Sequence, residues 1–216
     1  MPPTAMRRPP ALARVAPAIA TPVLIAGLLL AATGCARGPR LPALSPGDVV
    51  VAFGDSLTYG TGARPDEAYP AVLGTLIGRP VVGAGVPGET SAAALRRLPG
   101  VLARHRPRLL LLCTGGNDLL RQVDPAATAD NLRHMVALAT AQGAAVVLIA
   151  VPGAPLARGI PYASVARDLG LVLEDRVLGT VLFDDALKAD SFHPNAAGYR
   201  QMAEAVAAVL RQSGAI

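Results

Sequence analysis

A chain of 216 residues that is 52% hydrophobic has material for one domain of ordinary size, and with 3% aromatics and no Trp its core must be aliphatic. A formal charge of +5 would suit a nucleic-acid partner, but Arg7, Arg8, Arg14, Arg37 and Arg40 all precede the first acid, Asp48, and beyond residue 40 fifteen Lys and Arg face fifteen Asp and Glu. The basic character belongs to the N-terminal tail, and no nucleic-acid partner is expected for the domain.

The tail has the form of a targeting signal: a basic start, an apolar stretch from Val15 to Ala32, and the small-residue end ATGC at 32–35. That end resembles the lipobox of bacterial lipoprotein precursors, with Ala32 where the pattern prefers Leu. The resemblance implies a signal peptide over 1–34, acylation of Cys35, and a location on the bacterial cell envelope, on its periplasmic or extracytoplasmic side, with the membrane as a partner through the lipid. Plain cleavage and a retained anchor are the alternatives. Pro17 and Pro22 weaken the second by shortening the uninterrupted helix. Arg7-Arg8 is followed by Pro9-Pro10 and carries little weight as a twin-arginine signal. If Cys35 carries lipid, Cys113 has no partner and is expected as a buried, unreactive thiol, leaving neither a disulfide nor a metal site to assemble. Next, RGPRLPALSPG at 37–47 reads as an extended, solvated tether (35–47), and the domain follows over 48–216.

Within the domain, apolar runs alternate with helical patterns in the manner of a parallel α/β sheet. Strands are predicted at 48–53, 80–84, 108–113, 144–151, and at either 171–173 or 180–183. Helices are predicted near 67–78, 90–104, 125–142, 161–169 and 195–212. The first strand carries no polar residue from Val49 to Phe53 and is read as buried on both faces, yet it ends in Gly54-Asp55-Ser56. Such a tripeptide is ordinarily a capped turn, and a nucleophile only if a base, an acid and an oxyanion site lie elsewhere.

One motif is a decoy. Gly83, Gly85 and Gly88 match GxGxxG after a strand, but the following ARHRPR at 103–108 lacks the acid that would hold a ribose, and only its arginines, which could suit a 2′-phosphate, keep a dinucleotide site as a weak alternative. The chain also lacks GxSxG, HExxH, GxxxxGK[ST] and CxxC, so no cofactor and no metal are expected.

The informative groups fall at successive strand ends: Gly54-Asp55-Ser56-Leu57, then Gly88-Glu89-Thr90, then Gly115-Gly116-Asn117-Asp118, and before the last helix Asp190-Ser191-Phe192-His193-Pro194. In this order they resemble the GDSL or SGNH hydrolases, and among them the single-domain thioesterase I and lysophospholipase-like esterases. PRLLLLCTGGND and DSFHPN are the most specific parts. The resemblance implies a three-layer α/β/α sandwich with a mostly parallel, five-stranded, flavodoxin-like sheet.

Chemistry explains why these types belong together. A serine hydroxyl needs a base to take its proton, and an imidazole needs an acid to fix its tautomer and stabilise its charged form. Ser56, His193 and Asp190 are the expected catalytic residues. Asp184 and Asp185 compete with Asp190 but are expected to end a strand or cap a short turn. By the resemblance, the oxyanion donors are the backbone N–H of Ser56, the backbone N–H of Gly88 and the amide of Asn117. Asp55 is expected to bond backbone amides and take no chemical role, His105 and His134 to lie at the surface, and Arg96, Arg97, Arg104, Arg106 and Arg108 to form a solvated face. Where relatives commonly read Asn-Ala before the second block, Gly83-Ala84 is expected to loosen the hydrogen bonding there.

These readings converge on a monomeric serine esterase that hydrolyses carboxylic esters, with thioesters chemically accessible, through an acyl-enzyme. Its expected substrates are small-molecule or lipid esters such as lysophospholipids or short-to-medium acyl esters. A carbohydrate O-deacetylase on the same fold and a non-catalytic binding lipoprotein are the rival readings. The small side chains of the 152–161 segment make acyl preference the least transferable feature.

Overall fold

A computed structural model of the chain describes Met1, residues 38–153 and residues 159–216. The apolar tail, Cys35 and the middle of the 152–161 segment lie outside the described residues. The strands are β1 (Val50–Gly54), β2 (Val81–Gly85), β3 (Leu109–Cys113), β4 (Ala145–Ile149) and β5 (Val172–Glu174). All pair in parallel, in the order β2-β1-β3-β4-β5. Every residue of β1 and β3 is buried, as their unbroken apolar runs require for central strands.

Among the described residues, eight helices are interleaved with these strands: α1 (Ser56–Tyr59), α2 (Tyr69–Ile77), α3 (Ser91–His105), α4 (Gly116–Leu120), α5 (Pro125–Ala141), α6 (Tyr162–Leu169), α7 (Val177–Leu182) and α8 (Ala196–Ser213). The chain steps from β1 to β2 in one direction and from β2 past β1 to β3 in the other. Right-handed crossovers therefore put α2 and α3 on opposite faces. α2 packs on α8, while α3 packs on α5 and α5 on α6, which completes a helix layer on each side. The core between them is aliphatic, built on Val50–Phe53, Leu109–Leu112 and Val146–Ile149 with Leu98, Leu102, Leu132, Val206 and Leu210 from the helices.

Register places the chemistry. Gly54 at the end of β1 lies opposite both Gly85 of β2 and Cys113 of β3, so the three strands end flush. The segments after them leave the sheet along one edge, where the strand order reverses and α/β sheets gather binding groups.

Three departures from the sequence-based expectations have physical causes. Of the two candidates for the last strand, 172–174 pairs with β4, whereas 180–183 overlaps α7. Its β-branched residues are helical because Glu174 accepts the N–H of Val177 at the helix start, and Val177, Leu178 and Val181 are buried together. The short helices α1 and α4 have too few residues for a periodic signal. The segment 37–47, expected to be solvated, docks in its second half. Leu41 N–H donates to the Ser213 carbonyl (3.0 Å) and Leu44 N–H to the Ala215 carbonyl (2.8 Å), satisfying acceptors at and just past the C-terminus of α8, with the Leu44 side chain buried. Arg79 donates to the carbonyls of Ser45 (2.9 Å) and Leu44 (3.3 Å). The docking point is at the end of α8 remote from Asn195, about 27 Å along a helix of 18 residues.

Candidate active site

Ser56 is the first residue of α1. Asp55 caps that helix: its Oδ1 accepts the Leu57 N–H (3.0 Å), and its carbonyl accepts from Thr58 (3.2 Å) and Tyr59 (3.0 Å). This fixes the peptide that carries Ser56 and leaves its hydroxyl facing a cleft. The helix lies so close to β2 that a Cβ at Gly85 would run into the backbone of Thr58 and Tyr59. That contact explains the middle glycine of the GxGxxG match without a nucleotide.

The imidazole comes from far along the chain. His193 Nε2 lies 2.9 Å from Ser56 Oγ, and His193 Nδ1 lies 2.8 Å from Asp190 Oδ2 and 3.0 Å from Asp190 Oδ1. Asp190 Oδ1 also accepts the backbone N–H groups of Phe192 (2.8 Å) and His193 (2.9 Å), so the loop folds around its own carboxylate. Partial burial works against ionisation of Asp190, but the His193 ring and the two backbone N–H groups outweigh it and hold the carboxyl below the usual range. The loop is closed behind by Ala189 N–H donating to the His193 carbonyl (2.9 Å). Asn195 caps α8 through Ala197 and Gly198, and Tyr199 OH ties that helix to the Thr61 carbonyl (2.8 Å) beside α1.

The structure thus brings Ser56, His193 and Asp190 into one line. Asp184 and Asp185 do not join it: Asp184 caps a 3₁₀ turn by accepting the Ala186 N–H (2.9 Å), and Asp185 pairs with Lys188 (2.7 Å). Gly88 and Asn117 line the same cleft as Ser56 and His193. Gly88 has φ of 77°, a conformation that favours glycine in its tight turn. Among the described residues, neither Ser56 N–H nor Gly88 N–H is engaged by a backbone acceptor.

Asp55 does more than bond backbone amides, because its Oδ2 accepts from Asn117 Nδ2 at 3.3 Å. An amide nitrogen has two hydrogens, so Asp55 can hold one and leave the other facing the cleft. Asp55 is buried, and desolvation pushes its carboxyl from 3.8 up to about 6 against the opposing bonds from Leu57 and Asn117 and the charge of His193. A carboxyl raised in the folded state stabilises the fold fully below its unfolded value and loses that contribution as pH rises through its folded value. Relative to Asp55→Asn, the wild type should therefore lose about 3 kcal/mol of stability between about pH 3.5 and about pH 7.5, read from urea unfolding midpoints. A difference independent of pH would refute this electrostatic reading.

Sequence reasoning also missed Arg97. It does not belong to a solvated face: it pairs with buried Glu89 (2.6 Å), donates to the carbonyls of Ala84 (3.1 Å) and Gly54 (3.3 Å), and lies 4.2 Å from the centroid of the Phe53 ring. The ion pair holds the 86–89 turn that Gly83-Ala84 was expected to loosen. Cys113 is buried and free, and desolvation, with the nearby charges of Asp55 and Glu174, pushes its thiol well above the usual range. His134 is exposed and His105 half-buried.

The cleft beside Ser56 has a volume of about 680 Å³. Leu119, Leu120, Val123, Leu182, Phe183 and Phe192 line it, and Leu120, Phe183 and Phe192 are more than half exposed at its mouth. No cluster of potential metal ligands occurs among the described residues.

Comparison with known proteins agrees with this architecture. Residues 52–201 match the family model described as the GDSL-like Lipase/Acylhydrolase family. The chain is similar to Esterase TesA of Pseudomonas aeruginosa, 33% identical over 124 residues that span 55% of this chain and 62% of that protein. It is also similar to Thioesterase 1/protease 1/lysophospholipase L1 of Escherichia coli, 36% identical over 106 residues that span 48% of this chain and 51% of that protein. These alignments thus reach only about half to three fifths of the curated relatives' length. A crystal structure of TesA superposes with a TM-score of 0.72 at 31% identity, covering 77% of this chain and 99% of that one.

Proposed function

The chain belongs to the GDSL-like lipase/acylhydrolase family, and on that premise we propose that it is a serine esterase acting on carboxylic esters with apolar acyl chains. The observation that carries this reading is the relay in which Asp190 holds Nδ1 of an imidazole whose Nε2 is 2.9 Å from Ser56 Oγ, at the mouth of an apolar cleft.

In this reading His193 takes the Ser56 proton as Oγ attacks the ester carbonyl. The carbonyl oxygen becomes an oxyanion bonded by Ser56 N–H, Gly88 N–H and one hydrogen of Asn117 Nδ2. Collapse of the tetrahedral intermediate breaks the C–O bond to the alcohol, which leaves with the proton from His193, and the acyl group remains on Ser56. His193 then deprotonates water, the second intermediate forms, and the acid departs as Ser56 regains its proton. Asp190 stabilises the imidazolium in both halves. Thioesters fit the same steps with a thiol as leaving group.

Substrate preference follows from the lining. Six aliphatic and aromatic side chains offer burial to an acyl chain, and each methylene removed from water is worth up to about 0.8 kcal/mol. The cleft therefore favours short-to-medium acyl or lysophospholipid-like esters over acetylated glycans. Across a series of p-nitrophenyl esters, kcat/KM is expected to rise at least about tenfold from acetyl to octanoyl. A collapse beyond acetyl would favour a deacetylase, and no hydrolysis at all would favour a binding protein.

A further inference from the structure

The 86–91 turn and α4 are joined by a buried carboxylate that the proposed chemistry does not use. Asp118 follows Asn117 in α4 and is 1% exposed. Its Oδ2 accepts the Ser91 backbone N–H (2.8 Å), and its Oδ1 accepts Ser91 Oγ–H (2.6 Å) and Thr128 Oγ1–H (3.3 Å). Ser91 Oγ in turn accepts from Asn131 Nδ2 (2.9 Å). Ser91 is the first residue of α3, and the preceding Thr90 makes no side-chain capping bond. Asp118 therefore caps α3 from another element, placing a carboxylate at the positive end of that helix.

Its position in the chain gives this cap a second consequence. Asp118 is adjacent to Asn117, and Ser91 is three residues beyond Gly88, so the clamp links the two segments that carry the proposed oxyanion donors. A second link runs the same way, since Arg121, just past α4, donates to the Gly88 carbonyl at 3.0 Å. We propose that Asp118 is a positioning residue that holds the Gly88 N–H and the Asn117 amide in a fixed relation, so that both meet the oxyanion together. This rests on the esterase reading above. Donors aimed in advance at developing charge act without reorganising, and a loosened pair gives up transition-state stabilisation while ground-state binding is spared.

Asp118→Asn and Ser91→Ala test this. Asp118→Asn puts an NH₂ group against the Ser91 donors, and Ser91→Ala removes only the hydroxyl. Each is expected to lower kcat by about tenfold or more, with KM within about threefold of wild type. Each should also weaken inhibition by an alkyl boronic acid, whose serine adduct is tetrahedral and anionic, in parallel with kcat. In an Asn117→Ala background the kcat loss should shrink, because one of the two donors to be aligned is gone. Thermal melts confirm that the variants are folded; if Asp118→Asn does not fold, Ser91→Ala carries the test. Folded variants with wild-type kcat and boronate affinity would overturn the proposal while leaving the esterase reading intact. A wild type that neither hydrolyses esters nor binds the boronate would overturn both.

Discussion

Ser56→Ala is expected to lower kcat for ester hydrolysis by roughly 10⁴-fold or more, with little change in melting temperature. The two halves of this expectation rest on different contacts. The Ser56 hydroxyl has one side-chain hydrogen bond, to His193 Nε2, and the half-buried side chain adds little to the core. The turn that carries it is held instead by Asp55, whose carboxylate and carbonyl cap α1 whatever stands at position 56. Removing the hydroxyl therefore leaves the fold and the proposed oxyanion donors in place but deletes the atom to which the acyl group would be joined. Assay of the purified, folded variant against the preferred ester checks this, and near-normal turnover would remove the nucleophile from the mechanism.

Asn117→Ala is expected to lower kcat by about 10²-fold to 10³-fold with a smaller effect on KM, the scale for losing one side-chain oxyanion donor. The expected split follows from what the amide faces. One hydrogen is engaged by Asp55 at 3.3 Å, which leaves the other available to the cleft that Asn117 lines with Ser56 and His193. A carbonyl oxygen attracts that hydrogen weakly and an oxyanion strongly, so the loss belongs to the barrier more than to binding. A change confined to KM, measured by full saturation curves, would make Asn117 a substrate-binding residue instead.

The central strands were legible because burial on both faces leaves no room for ambiguity. Val50–Phe53 and Leu109–Cys113 are unbroken apolar runs, and their observed bounds lie within a residue or two of the expected ones. The long helices read equally well, since α5 and α8 carry Asp124-Pro125 and Asn195 at their starts and an apolar face throughout. Segment 180–183 was ambiguous because β-branched residues serve strand and buried helix alike, and only the pairing of 172–174 with β4 and the burial of Val177, Leu178 and Val181 together decide between them.

The candidate site was legible through order rather than periodicity: four short groups, each ordinary for a turn, fall at successive strand ends, and a parallel sheet brings such ends to one edge. What stayed hidden is what depends on partners across space. Asp55 looks like any helix cap until Asn117 is found on its second oxygen. Arg97 looks like one member of a basic cluster until Glu89 and two carbonyls close around it. Asp118 follows the more conspicuous Asn117, and nothing in its spacing shows that it caps a helix begun 27 positions earlier. The docking of Leu41 and Leu44 likewise depends on carbonyls at the far end of the chain.

The most direct test of the account is covalent labelling with a fluorophosphonate, followed by peptide mass mapping of the adduct. Phosphonylation of a serine needs a hydroxyl made nucleophilic by a neighbouring base and an oxygen on phosphorus stabilised by nearby donors, the two properties assigned to this site. The account predicts a single adduct on Ser56, absent from Ser56→Ala and formed far more slowly in a His193→Ala variant that retains the serine. An unlabelled Ser56 in the folded wild type, or an adduct that persists in Ser56→Ala, would contradict it.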